Sequence, residues 1–172
     1  ILFFFLFPNP LDWGNQFIRR VGKATAIPGM NVIEPDKCAA LEEQFWQFTN
    51  RSDMLGIDNF SAFISHPKLP TLQSQLQFVQ DFLYNVTNLR LDPRNESFDG
   101  LIKYSYDWWS FPRLAYDHIP TVDEVLSRNT DDCDGIAVVT CSLLERLNIR
   151  YSWNISPFIA ESDFHWWTIV FN

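Results

Sequence analysis

Basic residues are in short supply. The 172 residues carry 13 Lys and Arg against 21 Asp and Glu, a formal charge of −8. That balance lacks the basic face that nucleic-acid binding requires, and nucleic acid is excluded as a partner. Cysteine is scarce and odd in number: Cys38, Cys133 and Cys141. At most one disulfide, Cys38–Cys141, would leave Cys133 free. The apolar tip, residues 1–7, is too short for a membrane span and for most signal-peptide cores. Of the three histidines, His66 and His118 sit close to prolines in loops, without metal-ligand spacing. No CxxC, HExxH, phosphate-binding loop or dinucleotide fingerprint occurs, and no repeat or low-complexity tract. No metal and no cofactor is implied.

Apolar side chains are plentiful. They make up 47% of the chain, with 16 Phe and 7 Trp, enough to fill the core of one domain with a small appendage. Residues 1–7 read either as the end of a longer hydrophobic segment or as a buried strand. Residues 8–70 read as an N-terminal support region. It contains turn signals, a small basic cluster (Arg19, Arg20, Lys23), a helix from 36 or 37 to 48 with Cys38, Leu41, Phe45 and Phe48 inward, and a loop over 57–70. Residues 71–172 read as the functional core. They open on a helix over 71–89 that places Leu72, Leu76, Val79, Leu83 and Val86 on one face, with Thr71 as its cap. Thr121 and Glu124 then form a capping-box pattern for a short helix.

The segment Thr130-Asp131-Asp132-Cys133-Asp134-Gly135 carries the chemistry. Cys133, Ile136, Ala137, Thr140, Leu143, Leu144 and Leu147 fall on one helical stripe, and Asn148 follows as a left-handed cap. Cys133 thus lies at a helix N-terminus, where unpaired N–H groups favour a thiolate and the three aspartates oppose it. Ile149, Tyr151, Trp153 and Ile155 alternate as a strand, residues 156–163 read as a connection, and His165, Trp167, Ile169 and Phe171 alternate as a second strand. An antiparallel hairpin of the two can bring His165 over the helix N-terminus. A cysteine on an apolar stripe is ordinarily a small buried hydrophobe, the role given to Cys141. The helix start and the histidine 32 residues on favour a nucleophile at Cys133.

Asp132-Cys133-Asp134-Gly135, the helix through Cys141 to Ile149, and His165-Trp166-Trp167-Thr168-Ile169-Val170 resemble, in order and spacing, the transglutaminase-like cysteine peptidase superfamily. Residues 120–126 resemble the short helix that leads into its cysteine. Two positions depart from the family: Asp131 and Asn148 stand where glycines are usual. The resemblance implies an α+β, papain-like fold, with helices packed on an antiparallel sheet and the nucleophile at the N-terminus of the central helix. It implies thiol-dependent acyl transfer on an amide of a peptide or protein: peptide or isopeptide hydrolysis, or cross-linking to an amine. The alternative is a non-catalytic binding or scaffold module at a membrane or cell surface. Cys133 and His165 are the implied catalytic pair. The third catalytic residue is expected beyond Asn172, since seven residues of strand carry Asn172 about 23 Å from His165. Tyr104, Tyr106, Trp108 and Trp109 are candidates for cleft walls or an oxyanion donor.

Two further readings concern ions and compartment. Read as a calcium loop, the acidic cluster would put Thr130 at position one and Cys141 at position twelve, and it fails at both ends. Five N-x-S/T sequons, at Asn50, Asn59, Asn85, Asn95 and Asn154, tilt the chain toward an exported or membrane-anchored, extracytoplasmic protein, with membrane contact through residues 1–7.

Overall fold

A computed structural model describes residues 14, 17–18, 32–87, 103–104, 119–128, 130–162 and 165–172. The apolar tip, the basic cluster, His118 and Asn95 lie outside them. Pro35 opens a 3-10 turn over Pro35–Cys38 that runs into helix α1, Ala39–Asn50. Leu41, Phe45 and Phe48 recur on one side of α1 and are buried, as the spacing predicts. A short helix α2, Phe60–Ile64, interrupts the expected loop over 57–70. The Asn59 side chain accepts from the Ala62 N–H and caps it, while Phe60 and Phe63 are buried. Helix α3, Leu72–Thr87, buries Val79, Phe82 and Leu83.

These helices meet in an aromatic cluster. Phe45 packs edge-on against Phe63 at 5.5 Å and Phe82 at 5.3 Å, and Phe60 stacks flat on Tyr151 at 4.8 Å. Full burial of each such ring contributes about 1.5–3 kcal/mol. Gln75, buried on α3, donates to the carbonyls of Ile64 and Leu69 and accepts from the Trp153 indole. One side chain thereby joins three segments.

Helix α4, Val122–Arg128, starts on the expected capping box. Glu124 accepts from the Thr121 N–H at 2.7 Å, and Thr121 Oγ1 accepts from the Glu124 N–H at 3.1 Å. Glu34, before the 3-10 turn, accepts from the Val122 N–H, and its own N–H donates to Ser142. These bonds hold α4 beside the central helix α5, Cys133–Tyr151.

Two small sheets complete the α+β fold. Strand β1, Lys103–Tyr104, pairs in parallel with β2, Thr130–Asp131, so a strand from before α4 runs alongside the entry to α5. Strand β3, Ser156–Ser162, pairs antiparallel with β4, His165–Phe171. Trp166, Thr168 and Val170 form the inner face of β4. Trp166 is buried, and Thr168 donates to the Ala137 carbonyl of α5 at 3.4 Å.

Helix α5 corrects three expectations. It runs one turn past Asn148, through residues expected to be strand, and in that turn Tyr151 stacks on Phe60 and donates to the Glu42 carboxylate. The left-handed cap is Ser152, whose N–H donates to the Asn148 carbonyl at 2.8 Å. Asn148 acts from within the last turn, its side chain accepting from the Ile155 N–H. The first hairpin strand is therefore 156–162, the segment expected to be a connection. Pro157 is tolerated there near the strand's start, where the missing N–H costs little.

Candidate active site

The first turn of α5 is built from its own acids. Asp132 is the N-cap, and its carboxylate accepts from the Asp134 N–H at 3.3 Å. The Asp131 carboxylate accepts from the Asp132 N–H at 2.9 Å and is buried against the helix. Gly135 is what allows this. A Cβ at that position would lie 2.4 Å from the Asp131 Cγ, so any larger residue must displace the aspartate. Position 131 thus holds a buried aspartate, and the glycine two residues after the cysteine makes room for it.

Cys133 occupies the first helical position and is half-buried. Its environment differs from that of the other two thiols. Cys38 and Cys141 are fully buried, and burial pushes both up to about 12. All three cysteines are free, so the disulfide Cys38–Cys141 is not formed.

His165 opens β4 and is exposed, its ring stacked on Trp167 at 6.0 Å and 21°. Strand alternation assigns it to the outer face with Trp167, Ile169 and Phe171. Even so, Cys133 and His165 line one open cavity of about 490 Å³ between α3, α5 and β4. Helix α3, which opens the core expected over 71–172, supplies one wall of this cavity through Leu76, Val79, Gln80 and Leu83. The signal was present as the 3.6-residue spacing of those positions. What the spacing could not reveal is that the stripe faces α5 across a gap.

No family model, curated protein or solved structure matches this chain. The geometry therefore carries the functional argument alone. Tyr104 lies on β1 in register with Asp131, next to the segment that carries Cys133. Its side chain, and all of Tyr106, Trp108 and Trp109, lie outside the described residues. Ligand oxygens of Asp131, Asp132 and Asp134 lie within 4.8 Å of one another. Three protein oxygens fall short of the six to eight that calcium takes, and Asp131 and Asp132 already accept backbone N–H groups, so the cluster carries no metal assignment.

Three sequons are exposed among the described residues. Asn50 ends α1, Asn59 caps α2, and Asn154 lies in the connection before β3 with φ 59°, not on the polar face of a strand as expected. The side chain of Asn85 lies outside the described residues. Among those residues, no helix is long and apolar enough to cross a membrane.

Proposed function

We propose that this chain carries out thiol-dependent acyl transfer on an amide, within a papain-like arrangement of the transglutaminase-like type, with hydrolysis as the outcome. The observation that carries the reading is the single cavity lined by both Cys133, at the N-terminus of α5, and His165. Cys133 Sγ attacks the amide carbonyl. The oxyanion that forms lies at the helix N-terminus, within reach of the Cys133 N–H, where the helix dipole stabilises negative charge. His165 takes the thiol proton and returns it to the departing amine. A water, deprotonated by the same ring, then releases the acid and regenerates the thiol. To do this the imidazole must leave its stack on Trp167 and turn toward the sulfur.

Five sequons, three of them on exposed residues, support a location outside the cytoplasm. A peptide or protein amide is the general substrate class. A second reading, a binding module at a membrane or cell surface, is favoured by the outer face of the hairpin. There Phe158, Trp167, Ile169 and Phe171 are 53%, 40%, 36% and 59% exposed. An electrophilic thiol probe separates the two. The enzyme reading expects labelling of Cys133 that substrate amides slow and that His165→Ala diminishes. Unlabelled Cys133 in folded protein would leave the binding module as the better account.

A further inference from the structure

The cavity at Cys133 continues well beyond the reacting atoms. Along α5 its wall runs from Cys133 through Ile136 and Thr140 to Leu144, which at 1.5 Å per residue is about 16 Å. Val79 and Leu83 of α3 face this stripe from one side, and Val170 of β4 closes it from the other. The volume, about 490 Å³, falls in the range of small-molecule sites, roughly 300–1,000 Å³. It is a groove with a thiol at one end and apolar walls along its length.

The chemistry of the walls restricts the occupant. A peptide lying in the groove would bring one donor and one acceptor per residue, each needing a partner once out of water. Away from the Cys133 end, the polar side chains on the walls among the described residues are Gln80, Thr140 and Thr168, and the Thr168 hydroxyl already donates to the Ala137 carbonyl. A hydrocarbon chain brings no such requirement. At about 1.3 Å per carbon, roughly twelve carbons match the wall's length.

We infer that the groove binds an unbranched fatty-acyl chain, and that the amide attacked by Cys133 is a long-chain N-acyl amide. This rests on the acyl-transfer reading and specifies its substrate. The Cys133 thiol adds to the acyl carbonyl, the C–N bond breaks, and the amine leaves with the proton held by His165. Water then cleaves the thioester to release the fatty acid and restore the thiol. No redox partner is involved.

The test is a chain-length series of acyl 4-nitroanilides, from acetyl to dodecanoyl, with the full chain. The expected result is a rise in kcat/KM of about fourfold per added methylene until the groove is filled. In Thr140→Phe, which places a ring across the groove, the ratio of dodecanoyl to acetyl kcat/KM should fall at least about tenfold. A flat series in the wild type, or faster cleavage of peptidyl anilides than of the dodecanoyl compound, would overturn the inference while leaving the thiol chemistry intact. If no anilide is cleaved, the acyl-transfer reading fails, and binding decides the groove. Titration of Cys133→Ser with N-dodecanoylglycine should then give saturable binding that Thr140→Phe or Leu76→Trp weakens, and no binding would overturn the inference.

Discussion

The two ends of α5 are built on opposite principles. At the C-terminal end one carboxylate, Glu42, is almost wholly buried and surrounded by complementary groups. It accepts from the Tyr151 hydroxyl at 2.7 Å, from Arg150 at 3.2 Å and from Arg146, while Trp46 donates to the same hydroxyl. Burial alone would raise the Glu42 carboxyl. The hydrogen bonds from Tyr151 and Arg146, with the charges of Arg146 and Arg150, outweigh it and hold the group below its ordinary value. At the N-terminal end three carboxylates of one sign converge within 4.8 Å beside a half-buried thiol and an apolar groove. One end is closed, charge-balanced and packed on aromatics. The other gathers three acidic side chains beside the thiol and leaves space. The first end is built for packing, and the second presents the thiol and the groove.

If this division holds, substitutions at the two ends should separate activity from stability. The largest effect belongs to Cys133→Ala. Loss of the nucleophile should lower turnover by about 10⁴-fold or more, with the melting temperature close to wild type because the side chain is small and half-buried. Retained activity would remove the N-terminal end from the chemistry.

Next comes Glu42→Ala. It leaves Arg146 beside a void, and breaking a buried ion pair from one side should cost about 3 kcal/mol in denaturant unfolding. Alkylation of Cys133 in the folded variant should proceed at the wild-type rate. A change in that rate would mean that the two ends are coupled and the division drawn above is wrong.

Much of this was legible from local pattern. Thr121 and Glu124 announce α4, Ala137, Leu143, Leu144 and Leu147 of the predicted stripe are buried on α5 while Cys133, Ile136 and Thr140 line the cavity, and β4 begins at the residue its alternation predicts. The C-terminal end of α5 was not legible. Ile149, Tyr151 and Trp153 alternate as a strand would, but Ile149 is 63% exposed in the last helical turn, and what decides that turn is Glu42, far away in sequence. β3 was displaced in consequence. At the N-terminal end Cys133 stood out from helix-start chemistry. The burial of Asp131 under Gly135 did not, because it depends on a close approach that no periodicity encodes.

That approach gives a third experiment. Gly135→Ala must push the Asp131 carboxylate out of its place, and overpacking of this kind costs about 1–3 kcal/mol. Because Asp131 also accepts from the Asp132 N–H, the turn that presents Cys133 should shift, and alkylation of Cys133 should slow. Asp131→Ala removes the obstacle. The double variant should therefore be more stable than the two single effects added together would give. Strict additivity would show that the two side chains do not share one space.

The smallest effect sharpens the comparison by pH. Glu42 titrates below its ordinary value of 4.5 in the folded chain. The unfolded chain therefore takes up the proton first as the pH falls. The stability supplied by the Glu42 charge is complete above about 4.5 and is lost as the pH drops through the lower folded value. Glu42→Gln cannot titrate, so its urea midpoint should fall less between about pH 5 and about pH 3 than that of the wild type. Whatever slope survives in Glu42→Gln comes from the other titratable groups of the chain. Equal slopes in the two proteins would place the acid sensitivity outside the Glu42 network, and the C-terminal end would lose its claim to be the charge-balanced anchor of the helix.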